Sequence, residues 1–122
     1  MSLTPFSSAT EIALAIRARK TTATAVVDET LARIARFNPA LNAICTLDAT
    51  GAIHRAREAD AALARGELWG PLHGVPMTIK DALETAGLRT TGGYPPLADH
   101  VPARDASAVA RLSMFQARSS NR

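Results

Sequence analysis

The residue with the clearest potential for chemistry is Lys80, which ends the short stretch VPMTIK. Apolar residues alternate along this stretch, which predicts a strand with Lys80 at its end, on the face opposite the apolar side chains. Strand ends of α/β folds line clefts, and a lysine enclosed in a cleft loses hydration, which favours the neutral amine. A neutral amine can accept a proton from a hydroxyl nucleophile, so the stretch offers a general base.

A plainer interpretation of Lys80 is an exposed strand-end lysine that pairs with Asp81 or Glu84. Lysines are usually exposed, and an isolated Lys-Asp pair is a weak signal. Spacing alone favours this plainer interpretation, so the choice depends on the rest of the sequence.

The other reactive side chains form no recognisable site. His54, His73 and His100 lack metal-ligand spacing, and each is expected in a loop or on the surface. Cys45 is the single cysteine and lies between apolar neighbours, which predicts a small buried hydrophobe. An intrachain disulfide is impossible, and a reducing compartment is natural.

Composition favours one soluble domain. The chain has 122 residues, enough for a modest core, and aromatic residues make up only 4%, so the core must be built from Ala, Leu, Ile and Val. The net charge is +3 with interspersed charges, without the basic stripe of a nucleic-acid binder. No stretch approaches the roughly 18 to 20 apolar residues of a membrane helix, and the N-terminus has no signal-like core. We therefore expect a cytoplasmic protein without a membrane partner, and the interspersed charge argues against a nucleic-acid binder.

Three helices are predicted in the first two thirds of the chain from the period of the apolar residues. The first begins at a capping box of Ser8 and Glu11, and the second ends where Asn38 precedes Pro39. The third carries small side chains on one stripe, which implies close packing against a neighbour. Their predicted limits are about 9–19, about 22 or 24 to 38, and about 50–65.

Loops are predicted from Gly66 to Pro102, because this span holds eleven of the fourteen Gly and Pro residues. Two short strands are predicted, VPMTIK within the loops and NAICTL before the third helix. A final helix is expected to begin around Asp105, which would cap it, and to turn Val109 and Leu112 inward.

Two longer motifs, GPLHGVPMTIKDALETAGLRTTGG and LADHVPARDASAVARL, resemble the N-terminal part of the amidase signature family. The resemblance extends from Ser8 to Leu112. It implies an α/β fold in which a mixed β-sheet is flanked by helices. Residues 1–112 would be the N-terminal part of such a domain, mostly helical with one or two short strands. The resemblance also implies cleavage of a small-molecule amide with no metal and no cofactor.

Within that family the resemblance implies a serine, cis-serine, lysine triad, and Lys80 matches the lysine. It would act through a bridging serine on the nucleophilic serine, giving an acyl-enzyme that water resolves. Both family serines lie downstream in a segment that includes Gly-Gly-Ser-Ser-Gly, which does not occur in these 122 residues. Only Lys80 is therefore carried over. We further expect that His73 shapes a turn, that Asp81 is structural, and that the loop 90–93 lies at the rim of the cleft.

Residues 113–122, SMFQARSSNR, depart from the family, which continues with Gly-Ala-Val or Gly-Ala-Ile into a buried strand. They show no helix or strand pattern and are interpreted as a divergent tail. One codon choice for QARSS, read from its third base, encodes Gly-Ala-Val-Ile, which suggests a frameshifted or prematurely ended reading frame. We therefore expect a truncated, inactive fragment of poor independent stability, because its apolar faces would lack partners.

Three functions stay open at this point. The first is an amidase that hydrolyses carbon-nitrogen amide bonds. The second is one subunit of a glutamine-dependent aminoacyl-tRNA amidotransferase, which would need partner subunits and a transfer RNA substrate. The third is a non-catalytic interaction module formed by the helical residues 1–65. The sequence identifies neither the amide nor the oligomeric state.

Overall fold

The computed structural model describes residues 3–116, and four α-helices dominate these residues. Most of residues 65–106 form loops, and helices α2 and α3 pack against each other. No helix within 3–116 combines the length and apolar character needed to cross a bilayer. The elements are α1 (Ala9–Arg17), α2 (Ala23–Leu41), α3 (Ala49–Ala64), a 3-10 turn (Pro95–Leu97) and α4 (Ser107–Gln116).

Helix α1 begins at the predicted capping box. Ser8 Oγ accepts a hydrogen bond from the Glu11 amide (3.2 Å), and Glu11 Oε2 accepts one from the Ser8 amide (2.7 Å). The bond from the Ser8 amide lowers the pKa of the Glu11 carboxyl. The helix ends at Arg17 rather than at the predicted Arg19, because Arg19 adopts a left-handed φ of 56° and turns the chain toward α2.

The predicted end of helix α2 at Asn38 is wrong. The helix continues through Pro39 to Leu41, and Asn42, with φ 48°, adopts the left-handed cap. The Asn38 side chain instead accepts a bond from the Ile44 amide (2.8 Å) and donates one to the Ile44 carbonyl (2.9 Å). Asn38 therefore ties the last turns of the helix to the loop that follows.

The start of α2 is held by α3 through Asp60, a contact that the sequence did not predict. The Asp60 carboxylate accepts hydrogen bonds from the amides of Ala23 (2.7 Å) and Thr24 (3.0 Å) and from the Thr24 hydroxyl (2.6 Å). Thr22 Oγ1 accepts a further bond from the Ala25 amide (3.0 Å). Because the first amides of a helix have no partner inside it, these bonds fix where α2 begins relative to α3.

Small side chains build the core, as the composition and the stripe on the third helix predict. Ala52 and Leu63, two members of that stripe, are partly buried against the core, and its other two are fully buried. Alanines let two helices approach closely but bury little apolar area, so the hydrophobic stabilisation they supply is modest. The central buried residues are Ile16, Ala23, Val27, Ala56 and Ala59.

The two predicted strands do not form within residues 3–116. NAICTL lies in the loop between α2 and α3, and VPMTIK lies in the loop after α3. A strand needs backbone partners on a neighbouring strand, and neither Met77 nor Ile79 makes a backbone hydrogen bond to another described segment. The apolar alternation is present in the sequence, but strand pairing is a long-range property that alternation cannot supply.

Helix α4 begins at Ser107, slightly later than predicted, because Asp105 does not cap it. Asp105 Oδ1 instead accepts a bond from the Ala86 amide (2.8 Å) across the loop region. Val109 is buried as predicted, whereas Leu112, predicted to point inward, is 40% exposed. The helix extends over 113–116, where no helix was predicted, and 117–122 lie outside the described residues.

Candidate active site

Lys80 ends the VPMTIK loop segment and is exposed. The first residue of the segment, Val75, is buried, whereas Met77 is 37% exposed. The cleft that was expected to enclose the lysine is thus not built by residues 3–116, because no described element covers its side chain. The Lys80 carbonyl accepts a hydrogen bond from the Leu83 amide (2.9 Å), which closes a tight turn directly after the lysine.

Neither carboxylate that follows Lys80 in sequence pairs with it. Asp81 is bonded to Thr91, and Glu84 Oε1 accepts a hydrogen bond from His100 Nε2 (2.9 Å). Among the described residues the Lys80 ammonium has no hydrogen-bond or ion-pair partner. The exposure that the plainer interpretation predicts for Lys80 is therefore confirmed, whereas its pairing with Asp81 or Glu84 does not form.

Asp81 holds the glycine turn that follows Thr90. Asp81 Oδ1 accepts a hydrogen bond from the Thr91 amide (3.0 Å), and Oδ2 accepts a short one from the Thr91 hydroxyl. The Asp81 carbonyl accepts a third bond, from the Gly92 amide (2.9 Å). The hydrogen bonds from Thr91 lower the pKa of the Asp81 carboxyl below its usual range, and the bond from the hydroxyl contributes more than the bond from the amide. The structural role that the sequence predicts for Asp81 is thus confirmed by contacts.

His73 shapes the turn before VPMTIK, as predicted, although it is buried rather than on the surface. Its Nδ1 accepts a hydrogen bond from the Trp69 amide (3.1 Å), so Nε2 carries the proton and donates to the Ala59 carbonyl on α3 (3.0 Å). Both ring nitrogens are used by the backbone. His73 therefore anchors the loop to α3 and has no free nitrogen for proton transfer.

Gly74 lets the same loop lie directly on the helices. Its φ is +76°, and a Cβ added there would lie 2.8 Å from the Ala23 Cβ and 3.3 Å from the Ile16 Cδ1. Only glycine combines this backbone conformation with so close an approach. The loop that carries Lys80 is thereby fixed on the core at its start.

The remaining reactive side chains lie apart from Lys80. His54 is exposed on α3, and Cys45 is exposed in the loop after α2, so the prediction of a buried cysteine is wrong. The described serines are used structurally or lie on α4, and none bonds to Lys80: Ser7 and Ser8 accept backbone amides, while Ser107 and Ser113 belong to α4. The described residues thus bring together Asp81, which follows Lys80 directly, and the 90–93 loop, without a serine.

Two contacts of this region gave no sequence signal. The Arg55 guanidinium lies over the Trp69 ring (4.7 Å to the centroid), and the Trp69 and His73 rings are 5.0 Å apart. These rings and the guanidinium fill the space between α3 and the start of the loop. Arg55 is distant from Trp69 in sequence, so no local pattern could reveal their contact, whereas Trp69 and His73 lie close together in the same loop.

Comparison with known proteins identifies relatives of this arrangement. The sequence profile of the Amidase family matches residues 25–117. The chain is 43% identical over 105 residues to a glutamyl-tRNA(Gln) amidotransferase subunit of Acidothermus cellulolyticus, covering 86% of this chain and 21% of that protein. It is also 43% identical over 103 residues to a putative amidase AmiD of Mycobacterium tuberculosis, covering 84% of this chain and 22% of that protein.

The fold is similar to solved structures of the same kind. A bacterial aryl acylamidase of the amidase signature enzymes family superposes with a TM-score of 0.79 at 27% identity, over 92% of this chain and 24% of that one. The chain spans about a fifth of the length of the curated relatives it matches.

Proposed function

This chain belongs to the Amidase family, and we propose that it is the part of an amide-hydrolysing enzyme that supplies the proton-accepting lysine, Lys80. The observation that supports this role is the state of the amine. Lys80 lies inside the matched region, directly follows a loop anchored on the core, and has no partner among the described residues although two carboxylates follow it closely.

The proposed reaction is acyl transfer through a covalent intermediate. The neutral amine of Lys80 takes a proton from a bridging serine, which takes one from the nucleophilic serine as its oxygen bonds to the amide carbon. The carbon-nitrogen bond then breaks, and the leaving nitrogen receives a proton by the same relay. Water hydrolyses the acyl ester and restores the serine hydroxyl. Both serines are supplied by polypeptide outside these 122 residues, whose sequence has no matching glycine-flanked pair.

Because the described residues leave Lys80 exposed, we propose that the rest of the catalytic domain completes its enclosure. Packing further chain over an ammonium removes its hydration and favours the neutral form that a base requires. By itself the 122-residue chain is expected to hydrolyse no amide, because it has a base but no activated hydroxyl.

A hybrid enzyme tests this function. Residues 1–112 replace the matching segment of the bacterial aryl acylamidase, whose own downstream chain remains, and the product of 4-nitroacetanilide hydrolysis is followed by its colour. Turnover by the hybrid and none by the 122-residue chain is the expected result. A folded hybrid that binds the anilide yet never hydrolyses it would argue against an amidase role for this segment.

A second candidate function is that of an amidotransferase component, which the 43% identity to a glutamyl-tRNA(Gln) amidotransferase subunit favours. The chain is as similar to the putative amidase AmiD, so identity does not separate the two. Expression of a tagged chain from its own gene separates them. Copurification of partner subunits and a transfer RNA with the chain supports the amidotransferase, and recovery of the chain without partner subunits supports the amidase.

A further inference from the structure

We propose that Asp81 is a positioning residue for Lys80, which fixes the backbone that carries the lysine and places the glycine turn Thr91–Gly93 beside it. The inference rests on the proposed function of Lys80 and adds a second residue to its site. Asp81 follows Lys80 directly, so the position of its backbone sets the point from which the lysine side chain leaves the chain.

Three hydrogen bonds support this role. Both carboxylate oxygens of Asp81 are bonded to Thr91, one to the amide and one to the hydroxyl, and the Asp81 carbonyl is bonded to the Gly92 amide. The turn closed by the Lys80 carbonyl and the Leu83 amide adds a fourth constraint. The backbone of residues 80 and 81 is therefore tied on both of its sides, whereas the lysine side chain is left untied.

The turn that Asp81 holds exposes backbone without side chains, which a ligand could contact directly. Gly92 and Gly93 have φ of +59° and +69°, and a Cβ added at either meets no atom within 4 Å. The Thr91 hydroxyl also accepts a bond from the Gly93 amide (3.2 Å), so the turn is ordered by the same threonine that Asp81 holds. An open, ordered, side-chain-free backbone bonded to Asp81, the residue after the base, lets a substrate approach closely.

The same contacts assign Asp81 no direct part in proton transfer. Its two oxygens are occupied by Thr91, and its carboxylate is not paired with the Lys80 ammonium in the described structure. Misplacing a reacting group by about 1 Å can lower a rate about a hundredfold, so holding the lysine is a sufficient role.

The first test uses the 122-residue chain and measures the backbone order parameter of Lys80 by ¹⁵N relaxation. Asp81→Asn replaces one of the two acceptor oxygens by an NH2 group, so the two bonds can no longer form to two separate oxygens, and Thr91→Val removes the hydroxyl at nearly equal volume. In both variants we expect the order parameter of Lys80 to fall from about 0.85 toward about 0.6, whereas Thr91→Ser retains it. Lys20, the other lysine of the chain, is the internal control and should not change. An unchanged Lys80 in both variants overturns the inference.

The second test measures kcat and KM of the hybrid enzyme with the same variants and with Lys80→Ala. We expect kcat to fall about tenfold to a hundredfold in Asp81→Asn and Thr91→Val, while KM stays within about twofold of the value for the unsubstituted hybrid. Thr91→Ser should keep the kcat of the unsubstituted hybrid. If Lys80→Ala leaves kcat unchanged, the proposed function fails. If Lys80→Ala abolishes turnover while the other variants keep full kcat, or lose it only by unfolding, this inference alone fails.

Discussion

The carboxylate of Asp81 is bonded to Thr91, ten residues further along the chain, and not to Lys80, the residue before it. Because Asp81 bonds Thr91 and not Lys80, the two neighbouring side chains have different roles. Asp81 orders the loop, and the Lys80 amine has no partner within residues 3–116. The function proposed for Lys80 depends on that difference.

The bond between Asp81 and Thr91 predicts a pH dependence of the loop. The pKa of Asp81 is lowered in the folded chain, most strongly by the hydrogen bond from the Thr91 hydroxyl and less strongly by the bond from the Thr91 amide. The stabilisation is therefore fully present above the ordinary aspartate pKa of about 3.9 and is lost as pH falls through the lower folded pKa. The Thr91 amide resonance should titrate below about pH 3.9 and lose that titration in Asp81→Asn. A midpoint at or above the ordinary value would show that the bonds contribute nothing.

His73 should be essential for anchoring the loop, and His54 is its matched control. In His73→Ala the Trp69 amide and the Ala59 carbonyl lose their partner in a buried site, which we expect to lower the free energy of unfolding by about 1–3 kcal/mol. His54→Ala changes an exposed position on helix α3 and should have almost no effect. Urea denaturation of both variants makes the comparison, and equal stabilities would contradict the anchoring role.

Gly74 and Gly66 form a second matched pair, because both have a left-handed backbone, with φ of +76° and +80°. An added Cβ meets nothing within 4 Å at Gly66 but collides with Ala23 at Gly74. Gly66→Ala should therefore lower the free energy of unfolding by only the backbone strain of about 1–2 kcal/mol. Gly74→Ala should lower it by about 1–3 kcal/mol more, because the added methyl group overpacks the core. The difference between their unfolding free energies is the measurement. No difference would mean that the loop does not lie on the core as described.

The thin core predicts weak cooperativity of unfolding for the 122-residue chain. Of the buried apolar side chains in the described region, only Ile16 and Val109 are large and fully enclosed, while Leu68, Met77 and Leu112 are more than a third exposed. We expect a broad, low-temperature transition in circular dichroism, with binding of a hydrophobic dye as the chain unfolds. A sharp melt of a monomer at high temperature would contradict this prediction.

Features with a local determinant could be predicted from the sequence. The capping box of Ser8 and Glu11 lies within one turn, so the start of α1 follows from four consecutive residues. The alanine stripe of α3 is likewise set by the helical period, and its burial could be predicted without knowledge of the partner helix. His73 and Asp81 were assigned structural roles, which their contacts confirm.

Features that depend on a distant partner could not be predicted in the same way. Asn38 and Asp105 were expected to end one helix and to cap another, but their side chains bond Ile44 and Ala86 instead. Asp60 gave no signal at all, because the amides it caps lie more than thirty residues earlier. The strand predicted at VPMTIK does not form within the described residues for the same reason, since its alternation is local and its pairing is not.

Proton acceptance by Lys80 in amide cleavage is the step on which the proposed function depends, and the chain offers its own control because it contains only two lysines. The decisive quantity is the single-turnover rate of 4-nitroaniline release by the hybrid enzyme, compared between Lys80→Ala and Lys20→Ala. Removing a general base lowers a rate by about a hundredfold to ten-thousandfold, so we expect at least a hundredfold loss in Lys80→Ala and no change in Lys20→Ala. Equal rates in the two variants, with both folded, would show that Lys80 is not the base.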